Sequence, residues 1–352
     1  MNSRNKTKIF SSFGEQLQAV HNAAKPGGYV DERLANLVSG NNEGVPTDGG
    51  YLVQADVVTD LKDMIYDENP LLTNITRVQI STGANTLKVN GINENSRADG
   101  SRWGGIQAYW ESEAAEIASS KPAFEQCEFK LNKLAGICYA TDELLEDAAA
   151  LGDVIKTAFA DEFEFKVADA VLYGTGEKQP LGIFNSDALV TVPKEAGQTD
   201  LITVENLTKM LAACYDKQGK AEWYINRELM FALMALRMGN TPVFIPQGSI
   251  AGAPYDTLFG KPVHYIEQAN AAGTKGDILL ADMSQYVIIE KGGIKATESI
   301  HVRFVYDETA FRFVYRLDGK PMGKAVTPYK GSQAMSPFVT LETRVAENTE
   351  TE

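Results

Sequence analysis

The chain has 352 residues, a formal net charge of −14, 44% hydrophobic residues and 23% charged ones. That length suits about two domains, or one core with large excursions, and it buries enough surface to fold without a disulfide or metal staple. The acid excess argues against nucleic acid as a tightly gripped partner, because phosphate binding needs a surplus of Lys and Arg; a protein that encloses nucleic acid without gripping it stays open.

Cys127, Cys138 and Cys214 are odd in number and widely spaced, and no CxxC pair occurs. His21, His264 and His301 show no metal-ligand spacing. The expectation is therefore no metal site, no disulfide framework and no cofactor. The basic N-terminus "MNSRNKTKIFSSFG" has no apolar run behind it, so it does not read as a secretory signal. No stretch approaches the ~18 apolar residues of a membrane span, and no membrane partner is expected.

Residues 1–50 carry little material for a core. "FSSFGEQLQAVHNAA" reads as one short amphipathic helix with Phe13, Leu17 and Val20 on a face. The Gly-, Asn- and Asp-rich stretch behind it reads either as disorder or as an arm that packs on a neighbouring subunit. From Tyr51 the pattern turns globular, with a strand at 51–53 and a helix over 56–67 that ends before Pro70. "TRVQIST" and "NTLKVN" read as strands.

Residues 90–120, "NGINENSRADGSRWGGIQAYWESEAAEIASS", are too long and polar for an ordinary loop. Trp103, Tyr109 and Trp110 sit in this excursion. They either tuck back onto their own domain or anchor a hairpin on a partner, as buried aromatics do at interfaces. "PAFEQCEFKLNKLAGICYAT" follows as two strands, with Thr141 as a helix N-cap.

The strongest helix is predicted over 153–173, capped by Asp153, ended by Gly174 and ~30 Å long. Ile155, Phe159, Phe163, Val167 and Val171 form an i, i+4 row, with Val154, Ala158, Phe165, Ala168 and Leu172 as a second row beside it. Asp161, Glu162 and Glu164 read as a solvated face rather than a catalytic carboxylate pair. The next stretch, "GTGEKQPLGIF", imitates a phosphate cradle, but it follows a helix rather than a strand and has no Ser or Thr after Lys178. It reads as a helix terminator, with Gly174 as a left-handed cap.

Residues 188–300 read as an α/β unit: helix 204–218 stopped by Gly219, strand "EWYI", helix 227–238 capped by Asn226 and closed by Gly239, then strands in 262–267 and "DILLADMSQYVIIEKGG". Residues 301–330 read as a long hairpin with turn chemistry at "DETA" and "LDGK", and "SPFVTLET" as a last strand.

Taken in order, "DGGYLVQ", "TDELLED", "GTGEKQPLGIF", "FGKPVHYIE", "GDILLADMSQYVIIEKGG" and "YRLDGKP…PFVTLET" resemble the major capsid proteins of tailed bacteriophages, the Hong Kong 97-type fold that encapsulins share. The resemblance spans roughly residues 10–342, and its specificity lies in the ordered set. It implies an α+β fold with an N-terminal arm (1–49), a peripheral domain (50–85, 126–187 and 296–333) carrying a long spine helix, and an E-loop hairpin (86–125). An axial α/β domain (188–295) and a last strand with the C-terminal tail (334–352) complete it.

By the same resemblance the chain is no enzyme. It is expected to assemble as pentamers and hexamers into an icosahedral phage head that encloses double-stranded DNA without sequence-specific binding. A portal and a separate scaffold protein are implied partners, and the subunit is made in the host bacterial cytoplasm before it enters the virion. Phe13 and Leu17 are the candidate arm contacts, and Trp103, Tyr109 and Trp110 the candidate hairpin anchors. Some family members carry a cleaved coiled-coil segment at the N-terminus, and no such segment is seen here, which implies a separate scaffold or an already processed chain. Some crosslink through an E-loop lysine, whereas residues 89–120 contain no lysine, so no lysine–asparagine crosslink is expected. Two other readings compete: an encapsulin-type nanocompartment shell, and a cytosolic α/β enzyme, which would need a nucleophile–base pair or metal cluster that the sequence does not offer.

Overall fold

The computed structural model describes residues 10, 13–24, 31–34, 50–52, 64–66, 69–81, 83–94, 96–110, 119–141, 148–198, 201–216, 219–247, 255–303 and 308–344. The elements begin with α1 (Phe13–Ala24), β1 (Gly50–Leu52), α2 (Pro70–Thr73), β2 (Thr76–Ile80), β3 (Thr86–Ile92), β4 (Phe124–Lys130) and β5 (Asn132–Thr141). Then come α3 (Ala148–Tyr173), β6 (Leu189–Val192), α4 (Val204–Ala213), β7 (Glu222–Ile225), α5 (Met230–Ala235), β8 (Arg237–Met238), β9 (Thr241–Pro242), β10 (Phe244–Ile245) and β11 (Thr257–Leu258). The last are β12 (Lys261–Tyr265), β13 (Ile278–Ala281), β14 (Tyr286–Lys291), β15 (Lys295–Arg303), β16 (Glu308–Pro321) and β17 (Phe338–Leu341).

The chain divides into two units. The first holds Met1–Asn69, Leu131–Val167 and Glu290–Leu317. In it β15 pairs with β1 on one side and β16 on the other, and β16 pairs with β5, every pair antiparallel. Alternation sets the faces. Phe311, Phe313 and Tyr315 of β16 point inward and are buried, while Arg312 and Arg316, on the alternate positions of the strand, are exposed. Part of α3 covers the inner face. Its Phe159 ring lies 4.3 Å from that of Phe313 and edge-on to Phe163 at 6.0 Å. Gly136 of β5 makes room for this, since a Cβ there would stand 2.5 Å from the Phe159 ring. Each buried Phe contributes roughly 1.5–3 kcal/mol. A polar chain crosses this core: Tyr315 donates to Glu290 at 2.6 Å, and the Tyr66 and Tyr315 hydroxyls meet at 2.9 Å.

The second unit holds Pro70–Lys130, Ala168–Ile289 and Asp318–Glu352. Its sheet runs β10–β11–β12–β7–β13–β17–β6, with β12–β7 and β17–β6 parallel and the other neighbours antiparallel. β7 and β13 lie inside the sheet and are nearly continuous apolar runs, as strands covered on both faces must be. Trp223, Leu207, Met210, Leu229, Leu233, Leu280 and Val339 form the core, and the Trp223 indole donates to the Leu258 carbonyl at 3.0 Å. A capping box starts α4: the Thr203 hydroxyl accepts from Asn206 N, and the Asn206 side chain accepts from Thr203 N. Near the last described residues the Arg344 guanidinium, fully buried, donates to Asp277 and to the Leu201 carbonyl.

The structure corrects several expectations. α3 starts at Ala148, not Asp153, because the Ala-Ala-Ala-Leu run ahead of Asp153 is strongly helix-forming. With 26 residues it spans about 39 Å. In its second row Val154 and Ala158 are exposed, so only the part near Ala168 and Leu172 is core. Gly174 is not left-handed; it is needed because a Cβ there would collide with the Pro180 and Ala170 carbonyl oxygens. α4 ends at Ala213 rather than 218, since Cys214 turns extended and bridges to Ser336. The helix after Asn226 is a 3-10 turn (Arg227–Leu229) followed by α5, which stops at Ala235 where the backbone turns extended toward β8. "LDGK" is no turn: Asp318 sits inside β16, buried, and accepts from Lys130 N at 2.8 Å and Gly319 N at 2.9 Å. Of the helix expected over 56–67, residues 64–66 are helical and the rest lie outside the described residues. Thr141 closes β5, and the six residues after it lie outside them too.

Candidate assembly interface

The long polar excursion is a hairpin. β3 and β4 pair over seven positions, from Thr86 opposite Lys130 to Ile92 opposite Phe124, and Asn93 N extends the ladder to the Ala123 carbonyl at 3.0 Å. Beyond it the chain makes a tight turn in which Arg102 N and Ile106 N exchange bonds with the opposite carbonyls. Trp103, Gly104 and Gly105 are consecutive left-handed residues with φ of 53°, 72° and 117°. For a tryptophan that conformation costs on the order of 1–2 kcal/mol, so the surroundings must hold it.

Glu94 and Arg97 do much of that holding. Arg97 grips the Glu94 carboxylate with two bonds of 2.8 and 3.0 Å, a fork geometry that suits a guanidinium. The Arg97 bond, with help from the Trp103 amide, pulls the Glu94 carboxyl below its ordinary pKa. The same guanidinium reaches the Tyr215 hydroxyl at 3.4 Å and lies over its ring at 5.2 Å. Arg97 N donates to Thr327 O at 2.8 Å, Lys324 pairs with Glu125 at 2.7 Å, and Lys320 donates to the Glu128 carbonyl at 2.6 Å. A strap over residues 320–329 thus ties the hairpin to its own unit by polar contacts, and at the root Phe129 of β4 is fully buried with the Lys320 ammonium 5.8 Å from its ring centre. Asp99, bonded by the Ser101 hydroxyl and amide, is likewise held below its usual range.

The structure leaves the three hairpin candidates in water. Trp110 is fully exposed, Trp103 65% exposed and Tyr109 50% exposed, with Ile106 and Phe124 exposed beside them. Phe13 and Leu17 fall on α1, but their side chains lie outside the described residues. Sequence reading missed a second exposed apolar group, Ile137 and Tyr139 on β5. Their signal was the strict alternation of "KLAGICYAT", which leaves one face of the strand outward.

The glycine loop 174–184 turns its amides inward. Gly176 N donates to Pro180 O at 3.2 Å, Gly182 N to Gly174 O at 2.8 Å and Leu181 N to Gly319 O at 2.8 Å. Those N–H groups are spent inside the fold and cannot cradle a phosphate. Among the described residues there is no group of three or more His, Cys, Asp and Glu side chains fit to hold a metal ion, and no helix is long and apolar enough to cross a membrane.

Comparison with known proteins places this architecture. No curated protein is significantly similar to the chain in sequence. Among solved structures, the capsid of a native GTA particle computed with C5 symmetry superposes with a TM-score of 0.59 at 17% identity, over 87% of this chain and 94% of that one. A Microbacterium phage Oxtober96 chain gives 0.54 at 15% identity, over 78% and 90%. A Mycobacterium phage Adephagia chain gives 0.51 at 12% identity, also over 78% and 90%. At such identities the likeness is one of fold, and it matches the mixed α+β architecture. The sequence profile of the phage capsid family matches residues 49–331, most of the chain. The chain therefore belongs to the phage capsid family, and it is a structural protein of a capsid shell.

Proposed function

We propose that this chain is the repeating subunit of an icosahedral phage head, associating as pentamers and hexamers around double-stranded DNA. One observation carries the reading beyond family membership: a hairpin that projects Trp103, Tyr109 and Trp110 into solvent. Aromatics exposed on one subunit gain burial when a neighbour covers them. On this reading residues 1–49 are the arm, 86–125 the E-loop and 188–295 the axial domain, and Phe13 and Leu17 contact neighbours. Ring interfaces of one patch against a different patch close by rotation around the five- and six-fold axes. The net charge of −14 suits a wall along which packed DNA slides without being held. A portal and a scaffold protein complete the assembly, which takes place in the host cytoplasm.

Negative-stain electron microscopy beside sedimentation velocity tests this. Closed shells, or five- and six-membered rings, are expected, and Trp110→Ala should reduce their yield while leaving subunit stability within about 0.5 kcal/mol, as for other exposed sites. A protein that stays monomeric at every salt and concentration, with its scaffold supplied, refutes it.

A further inference from the structure

In the second unit the Tyr173 hydroxyl and Oδ1 of Asp277 are sealed from solvent without a hydrogen-bond partner among the described residues. Both border the loop 269–277, which Asn270 closes by donating from N to the Gly276 carbonyl at 3.2 Å and from Nδ2 to the Lys275 carbonyl at 2.7 Å. Gly276 lies against the Tyr173 hydroxyl, since a Cβ there would stand 3.0 Å from its oxygen, and Asp277 is the next residue. Burial, helped by the Asp169 and Asp277 carboxylates, pushes the Tyr173 pKa up to about 12. The hydroxyl therefore keeps its proton and is a donor without an acceptor, while Oδ1 is an acceptor without a donor. Neither side chain is free to swing. The Tyr173 ring is stacked on Phe184 at 4.9 Å and 11°, and Asn185 Nδ2 donates to the Tyr173 carbonyl at 2.6 Å. The fully buried Asp277 carboxylate accepts at Oδ2 from Gly273 N at 2.7 Å and from Arg344.

We infer that one ordered water is bound beside Gly276, accepting from the Tyr173 hydroxyl and donating to Asp277 Oδ1. The two atoms select the ligand. The Arg344 guanidinium already on the carboxylate opposes a cation, and the carboxylate opposes an anion. What fits is a small neutral group that both accepts and donates. Room comes from the missing Gly276 side chain, whose Cβ would also come within 2.8 Å of Asn270 Nδ2. That amide spends one proton on the Lys275 carbonyl and offers its second to the water, which gives the water about three bonds, the usual number for a buried one. An unmade bond at a buried donor or acceptor is costly, so the site favours occupation. The bridge pins the end of α3 to the loop ahead of β13 and, through Asp277, to Arg344.

An experimental density map of the full wild-type chain, at a resolution that shows ordered water, provides the test and needs no variant to fold. A peak is expected within about 2.7–3.2 Å of both Tyr173 Oη and Asp277 Oδ1. A map without that peak, or one in which the two atoms bond each other directly, overturns the inference. Variants give a second readout in urea denaturation. Tyr173→Phe keeps the ring stack and removes the donor, so it is expected to raise the unfolding equilibrium constant about tenfold. Asp277→Asn, made alone and in the Tyr173→Phe protein, should differ in its effect by about threefold or more, because the two residues share one water. Effects that multiply independently, or a Tyr173→Phe protein that unfolds at the wild-type urea concentration, overturn the inference as well.

Discussion

The fully buried pair of Arg344 and Asp277 should dominate the stability of the second unit. Arg344→Met removes a guanidinium that donates to Asp277, to the Leu201 carbonyl and, at 3.2 Å, to the Glu342 carbonyl. Asp277 then keeps its bond from Gly273 N at 2.7 Å and loses its counter-charge. Breaking a buried pair in this way costs about 3–5 kcal/mol. For a domain of 150–250 residues, at roughly 2–4 °C per kcal/mol, the melting temperature should drop by about 6–20 °C.

The effect carries a sign in pH. Burial already raises the Asp277 pKa above its ordinary 3.8, with Arg344 opposing the rise. Removing Arg344 lifts it further. Across the window between 3.8 and the folded value, the native state holds a proton that the unfolded state has released, so stability falls as pH rises. The variant's deficit should therefore shrink on moving from about pH 8 to about pH 5. Adding Asp277→Asn should recover most of the loss. Thermal melts by circular dichroism at both pH values give the answer. A deficit under about 1 kcal/mol at neutral pH, or one that grows on acidification, would refute the argument.

Three further outcomes follow from the geometry. Arg97→Ala frees the Glu94 carboxylate and the Tyr215 contact, so trypsin should cut after Arg102 faster than in the wild type; an unchanged digestion rate would mean that the strap alone holds the hairpin. Glu222 accepts from His264 at 3.0 Å and also from Tyr224 and Asn74, and these bonds, His264 first, lower its pKa below 4.5. Its contribution is present above about pH 4.5 and lost as pH falls through the folded value, so Glu222→Gln should flatten the acid limb of the stability profile; an unaltered limb would refute the assignment. Gly182→Ala would place a Cβ 2.5 Å from the Leu172 carbonyl oxygen and against Gly174 N, both rigid backbone, and should cost about 1–3 kcal/mol in urea denaturation.

The sequence made some of this visible and hid the rest for physical reasons. The i, i+4 row from Ile155 to Val171 was readable because burial of one helix face imposes its period on the residues themselves. "EWYI" and "ILLA" were readable because a strand inside a sheet must be apolar throughout. Glycine was harder. Gly174 reads locally as a left-handed cap, but its need arises from Pro180 and Ala170, which only the folded loop brings beside it. Asp318 and Gly319 look like a turn until Lys130 N arrives from β4 to meet the carboxylate. The tryptophans of the hairpin stood out by composition. Which face of β5 would leave Ile137 and Tyr139 in water did not, because only pairing with β16 and the covering of the other face by α3 decide it.

The mode of attachment of the hairpin has a consequence for how the subunit yields under load. The seven-stranded sheet is held by buried apolar side chains, and opening it approaches global unfolding. Beyond its root, where Phe129 is fully buried and Lys130 N bonds the buried Asp318, the hairpin is a two-stranded ribbon with Phe124 and its tip aromatics in water, secured by Arg97, Lys324 and Lys320. The Lys324–Glu125 ion pair is partly exposed, worth about 1 kcal/mol or less and screened by salt, and the Arg97–Tyr215 and Lys320–carbonyl contacts are single hydrogen bonds of about 1–3 kcal/mol or less. The hairpin therefore sits at the low end of the local opening hierarchy. Such a ribbon can detach, swing and reseat at small free-energy cost while the core keeps its native packing, and growing ionic strength lowers that cost further.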